Sequence, residues 1–406
     1  MENKITKIVA EEIKNSHGAP TIKVTVFVDN ISDSFSVPSG ASTGIHEAHV
    51  LRDPDGLSMT NAVNNVNNKI APILLGQDVF DQNKIDEMMI KLDGTENKDN
   101  LGGNAMIGVS IACVKVAAKV KNQDVYQYLQ TLSEIKPSFR KMPYLFMNLL
   151  EGGKHTDNGL AFQEYHVVPE TEDVQEAVDI GILVQNTLRE VIVNDLGGEA
   201  PVLGDEGGFA PKTNIIKKPL LYLVEALKRN NLQDKVHLAL DVASSSFYDD
   251  GLYQIEDKRI FAKDLMNIYD SFISEFKLFS IEDPFDEEDF ENFKNLKDNH
   301  RGMFVVGDDL TVSNQMLLKK AIESGSINAM IIKPNQIGTL SETLLTMKIA
   351  RENNIELIVS HRGEETNDDF IADLAYAFKC FGLKAGSPLK SERMIKYQRL
   401  MKISHE

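Results

Sequence analysis

Apolar and polar residues alternate with a period of two between about residues 5 and 38, as in Ile22, Val24, Val26 and Val28 and again in Phe35 and Val37. Gly18, Pro20 and the Asp29-Asn30 pair interrupt the alternation, so this stretch predicts an antiparallel meander. From 58 to about 132 the period becomes helical, with one helix opening at Asn61, another over 80–92 and a long alanine-rich helix over 104–128. Strands followed by helices are the order of an α+β unit. Beyond it, short apolar runs over 143–148, 165–168, 237–241, 279–282, 304–308, 329–333, 356–361 and 383–385 read as strands. Helical patterns over 174–193, 219–229, 262–275, 287–296, 314–324, 340–351 and 366–378 lie between most of them. Eight strands alternating with helices predict a parallel sheet covered on both faces and closed as a (β/α)8 TIM-type barrel. An open doubly wound sheet is the weaker alternative, since no glycine-rich nucleotide fingerprint follows a first strand. The expected organisation is α/β overall, with an N-terminal α+β capping domain over 1–135 and a barrel over 136–406. The boundary falls near Pro137, among several charged residues.

A chain of 406 residues is more than one core usually serves, which agrees with two units. Its net charge of −18 argues against nucleic acid as a main partner, although a local cluster of cations or a metal can still make a cleft attractive to an anion. Cys113 and Cys380 are the only cysteines, so a disulfide framework is not expected and a reducing compartment is. The first residues have no apolar leader pattern, and no apolar run appears long enough to span a bilayer. The sequence therefore predicts a cytoplasmic protein without a membrane partner.

The chemistry concentrates where strands end. Catalytic groups of a (β/α)8 barrel sit at the C-terminal ends of its strands. Those ends, in chain order, carry Asp241, Glu282, Asp308, Lys333, His361 and Lys384. Any one of them could simply reach solvent, but six in succession predict a shared site. Three carboxylates at one mouth repel unless a cation neutralises them, and hard oxygen donors favour Mg²⁺, Mn²⁺ or Ca²⁺ over zinc. A divalent ion facing a lysine of depressed pKa suits removal of a proton next to a carboxylate. Three further segments carry candidates. Glu206 lies in Gly204-Asp-Glu-Gly-Gly-Phe-Ala-Pro, His155 and Glu164 lie in and after a Gly152-Gly153 loop, and Ser42 lies in the small-residue loop Pro38-Ser-Gly-Ala-Ser-Thr-Gly.

With these residues in view, the chain resembles the enolase family over nearly its full length. Ser39-Gly-Ala-Ser-Thr-Gly-Ile-His-Glu-Ala, Leu92-Asp-Gly-Thr-Glu-Asn-Lys, the Gly204 run, Ser280-Ile-Glu-Asp-Pro-Phe, Gly307-Asp-Asp-Leu-Thr-Val, Asn335-Gln-Ile-Gly-Thr-Leu-Ser-Glu and Ser360-His-Arg all look like enolase motifs in the enolase order. The resemblance implies a barrel with atypical first units and reversible conversion of 2-phospho-D-glycerate to phosphoenolpyruvate, within glycolysis and gluconeogenesis. It further implies that Asp241, Glu282 and Asp308 hold one Mg²⁺, and that Ser42 joins a second one when substrate is bound. Lys333 would take the C2 proton, and Glu206, with Glu164 beside it, would help the C3 hydroxyl leave. Lys384 would bind the carboxylate and Arg362 the phosphate, with His155 and His361 close to the substrate. Enolases are commonly dimers or larger, so a homo-oligomer is expected.

The chain departs from the family in the phosphate and loop regions. The usual Ser-His-Arg-Ser-Gly-Glu-Thr is Ser360-His-Arg-Gly-Glu-Glu-Thr, which puts Gly363 in place of a serine and adds the acid Glu364. Ser16-His-Gly-Ala-Pro replaces Ser-Arg-Gly-Asn-Pro, and Pro334 follows Lys333. Glu151-Gly-Gly-Lys-His-Thr-Asp-Asn and Lys384-Ala-Gly-Ser-Pro-Leu-Lys are also altered. Two competing readings follow: an enolase-like paralogue acting on another 2-substituted 3-hydroxy acid, and a noncatalytic binding protein on the enolase scaffold.

Overall fold

A computed structural model of the chain describes residues 3–40, 44 and 46–405. Strands β1 (Lys7–Lys14), β2 (Pro20–Val28) and β3 (Ile31–Ser36) form the antiparallel meander, paired in that order. Ile22, Val24, Val26 and Val28 of β2 are buried, as their alternation requires. The helix Gly103–Val120 packs against β2 and β3. It is long and apolar enough to cross a membrane, contrary to the expectation that no run would be. Most of it is buried inside the protein, which accounts for its composition as that of a core helix. The expected 104–128 helix is two helices, Gly103–Val120 and Val125–Gln130. Asn122 takes a left-handed backbone with φ 51°, and Asp124 with Gln127 forms a capping box that starts the second helix.

Eight strands close into a barrel: β4 (Tyr144–Glu151), β5 (Glu164–Pro169), β6 (Val236–Asp241), β7 (Ser280–Glu282), β8 (Phe304–Gly307), β9 (Ala329–Ile332), β10 (Glu356–Ser360) and β11 (Gly382–Lys384). They pair as neighbours in chain order, and β11 returns to β4 through Gly382 and Tyr144. The sheet is not wholly parallel, contrary to the strand pattern but in keeping with the atypical first units that the resemblance implied. β5 runs antiparallel to both β4 and β6. Only residues 152–163 separate β4 from β5, and they hold a single 3₁₀ turn at Gly153–His155, too little for the helical crossover that a parallel pair needs. Two helices, Val174–Asp195 and Lys218–Arg229, then precede β6. The pattern also gave no sign of a small three-stranded sheet within 248–260 or of the helix Ser391–Ser404.

Period-two alternation polarises the barrel. Tyr144 and Phe146 of β4, Val168 of β5, Ala239, Val306, Ala329, Ile331, Ile358 and Phe381 form one apolar cluster inside it. Phe279 and Phe304 pack against that cluster, and the Phe304 and Phe381 rings lie 4.5 Å apart. Two residues further toward the opposite end, the same inward parity brings Asn148, Asp241, Asp308, Lys333 and Ser360. One end is thus an aromatic floor and the other a charged mouth. Because β5 is reversed, its first residue, Glu164, lies at the mouth directly opposite Asp241 in the strand register.

Candidate active site

The mouth opens into a narrow cleft lined almost wholly by polar and charged groups. Of the predicted residues, His155, Glu164, Glu206, Asp241 and Asp308 line it, together with Lys333, His361, Arg362 and Lys384. Glu282 stands just behind, reached through Lys384. Ser42 lies outside the described residues.

Lys384 ends β11 and is almost completely buried. Its ammonium donates to Asp241 Oδ2 at 2.7 Å and to both Glu282 oxygens at 3.0 Å, and lies 3.3 Å from Glu164 Oε1. Burial disfavours its charge, but the carboxylates of Asp241, Glu164 and Glu282 outweigh burial and hold it protonated well above the ordinary range. One ammonium does not balance three carboxylates. Glu282 shows the shortfall, since burial and the neighbouring Asp241 push it well up despite Lys384. Hard oxygen donors with a surplus of negative charge are a donor set that fits Mg²⁺.

Lys333 follows β9. Its ammonium bonds Asp308 Oδ2, while Gln336 Nε2 donates to Asp308 Oδ1 at 3.1 Å and Ser313 Oγ donates to Gln336 Oε1 at 2.8 Å. Burial pulls Lys333 down, yet Asp308 outweighs it and the group stands at about 12. A depressed lysine was expected from the sequence, and the paired Asp308 is the reason for the difference. The three acids predicted as one metal set therefore face two different ammonium groups here. Tighter sets of donor atoms are formed by His155, Glu164 and Glu206 and by Asp283, Asp308 and Asp309. Asp283 is engaged with the backbone, accepting from the N–H groups of Asp308 at 2.9 Å and Asp309 at 2.7 Å.

Glu206 and Glu164 converge from opposite sides of His155, whose ring nitrogens lie 3.9 Å from Glu164 and 4.0 Å from Glu206. Burial and the charge of Glu206 push Glu164 up to about 8, so this pair of acids retains a proton at neutral pH. The turn that carries Glu206 is hung on a buried acid, Glu151, which accepts from Glu206 N at 3.1 Å and Gly208 N at 2.5 Å. Gly204 is needed for that approach, because a Cβ there would come within 2.1 Å of Glu151 Oε2. Asn148 donates to Glu206 Oε2 at 3.2 Å.

Arg362 is clasped by Glu47, with guanidinium-to-carboxylate distances of 2.9 to 3.2 Å, and donates to Asn335 Oδ1 at 3.1 Å. Gly363 lines the cleft beside it. The unusual acid Glu364 faces elsewhere. Its Oε2 accepts from Ser39 Oγ at 2.6 Å, Asn15 Nδ2 at 3.0 Å and Arg52 Nη2 at 3.2 Å, and its backbone bridges Ser39.

Sequence reasoning missed several of these groups. Glu47 and Asp309 lie within motifs already noted, but nothing in their spacing separates them from solvated acids. Glu151 sits at the end of an apolar strand and had the same signal as the other strand-end acids. Arg393 and Lys396, both fully buried, come from the unpredicted helix Ser391–Ser404. Lys396 donates to Glu365 Oε2 and to the Thr366 carbonyl, both at 2.7 Å.

Comparison with known proteins places the whole chain. Residues 140–406 match the family model described as the enolase C-terminal TIM barrel domain, and residues 5–129 match the enolase N-terminal domain. The chain is similar to the enolase of Methanocaldococcus jannaschii, at 42% identity over 99% of this chain and 95% of that protein. It is also similar to the enolase of Corynebacterium kroppenstedtii, at 41% identity over 98% of this chain and 95% of that protein. A third, the enolase of Methanococcus maripaludis, is 41% identical over 99% and 95%.

Proposed function

The chain belongs to the enolase family and is a lyase of the phosphopyruvate hydratase class, and from that premise we propose that it catalyses the reversible Mg²⁺-dependent dehydration of 2-phospho-D-glycerate to phosphoenolpyruvate. Lys333 removes the C2 proton. The Glu206–Glu164 pair supplies a proton to the C3 hydroxyl, which leaves as water as the C2–C3 double bond forms. Lys384 holds the substrate carboxylate, Arg362 holds the phosphate in a planar fork, and His155 and His361 close the cleft around the reacting carbons. Asp241, Glu282 and Asp308 would hold one Mg²⁺ and Ser42 a second with substrate bound, supplying positive charge where negative charge develops beside C2 and relieving Lys333 of the Asp308 charge. Two free, buried cysteines agree with a cytoplasmic, reducing setting. A small phosphorylated acid is the only partner this chemistry requires, and a homo-oligomer follows from the family. The gap between the two matched segments supports a domain boundary at 135/136.

The observation that carries the substrate assignment is Glu364. An acid turned into the cleft beside Arg362 would repel a phosphate and favour a paralogue with another substrate. Its carboxylate is instead bound by Ser39, Asn15 and Arg52, and of the two altered residues Gly363 borders the cleft while Glu364 does not. Phosphoenolpyruvate formation from 2-phosphoglycerate, followed by ultraviolet absorbance, is expected with Mg²⁺ and not in excess chelator. Preference for an unphosphorylated 3-hydroxy acid in a substrate panel would overturn the assignment.

Replacing this residue gives a sharper check. Glu364→Gly is expected to leave KM for 2-phosphoglycerate within about threefold, while loss of its partly buried contacts lowers unfolding free energy by about 1 kcal/mol. A large fall in KM would place the native carboxylate against the phosphate. Steady-state kinetics and denaturant titration read the two effects separately.

A further inference from the structure

His361 presents both ring nitrogens to charged groups, and only one placement of its hydrogen is compatible with Arg393. Nδ1 lies 2.6 Å from Arg393 Nη1. A guanidinium has hydrogens to give and no lone pair to accept with, so Nδ1 must be the bare nitrogen. The ring hydrogen is then on Nε2, which lies 3.2 Å from Glu206 Oε2 without a formed hydrogen bond between them. Arg393 is fixed in this role by its other contacts, since it donates to the carbonyls of Arg362 and Gly363, each at 2.5 Å. Gly386 closes the remaining space. A Cβ there would sit 3.0 Å from His361 Cε1 and 3.2 Å from Arg393 Cδ, and its φ of +77° is left-handed. Tyr397 OH in turn donates to the Gly386 carbonyl at 2.7 Å.

We propose that Arg393 is a positioning residue that locks His361 as the neutral tautomer with its hydrogen on Nε2, so that the ring keeps a donor on the side facing Glu206 and the cleft. Protonating Nδ1 would set an N–H against a buried guanidinium. Burial and Arg393 both lower His361, Glu206 opposes them, and the ring stands at about 4, in agreement with a neutral group. The catalytic value of this donor rests on the function proposed above, but the tautomer itself does not.

The tautomer can be read without substrate, in protein labelled with ¹⁵N-histidine, with the His361 signals identified by their loss in His361→Gln. The native protein is expected to show an unprotonated Nδ1 coupled to ring protons and a protonated Nε2. Arg393→Met should give a mixed tautomer and lower kcat at least tenfold with KM changed less than threefold. Arg393→Lys, which keeps one donor, should restore most of the native pattern and part of kcat. A protonated Nδ1 in the native protein overturns the proposal. So does an Arg393→Met variant that loses activity with the tautomer unchanged, which would leave Arg393 a purely structural role. If Arg393→Met does not fold, the native and Arg393→Lys spectra decide. Should the enolase assay fail while the Nε2–H tautomer is found, the function proposal falls and the positioning role stands.

Discussion

Lys333→Ala is expected to lower kcat for 2-phosphoglycerate by about 10²- to 10⁴-fold, the usual contribution of a well-placed general base. The side chain is held at the cleft by Asp308, with Gln336 and Ser313 behind it, so its position does not depend on substrate. Proton exchange at C2, followed as loss of deuterium from 2-deuterated substrate to water, should fall with turnover. Glu206→Gln should behave differently, losing turnover while keeping part of the C2 exchange, because it acts on the hydroxyl. Lys333→Ala with C2 exchange intact would remove Lys333 from the role of base. Removing the ammonium also leaves Asp308 without its partner, so folding of the variant needs checking by circular dichroism.

Lys384→Met is expected to cost stability as well as activity. Methionine matches the stem but removes the charge shared by Asp241, Glu282 and Glu164. Breaking a buried ionic set by deleting one partner typically costs about 3–5 kcal/mol. In chelator, denaturant unfolding should reveal a loss of that order. Added Mg²⁺ should recover a larger share of stability in Lys384→Met than it adds to the native protein, because Asp241 and Glu282 would then have a cation in place of the ammonium. Equal Mg²⁺ stabilisation of both proteins would argue that these carboxylates do not hold the ion. KM for substrate should also rise, since the carboxylate loses a cationic contact.

Six of the eight barrel strands were legible because each is a short apolar run followed by a titratable residue, which marks both the strand end and the mouth. Asp241, Asp308, Lys333 and Lys384 share that signal. Glu164 was visible only as an acid at the start of a strand, because nothing in the alternation says that β5 is reversed. That information lies in the short 152–163 connection. The helix split at Asn122 was hidden by alanine and valine before it and Val125, Tyr128 and Leu129 after it, whose helical period runs on across the break. Partner choices were harder still. The sequence marked Glu364 as an intruder beside the phosphate arginine, and only tertiary structure turns its carboxylate toward Arg52 and Ser39. Arg393 and Lys396 gave no warning, since basic residues in a polar helix look solvated until the fold buries them.

The helix Ser391–Ser404 has a consequence for the order in which the protein becomes active. During synthesis the chain emerges from its N-terminus, and domains can fold as they appear. Every residue proposed to touch substrate, up to Lys384, is translated before the helix that grips the 361–366 segment through Arg393 and Lys396. A ribosome-bound intermediate can therefore contain the complete set of reacting groups and still lack the clasp that orients His361 and Arg362. A chain cut between Lys384 and Ser391 is therefore expected to hold every barrel strand and turn over at least tenfold more slowly than the full chain, a difference the phosphoenolpyruvate assay reads.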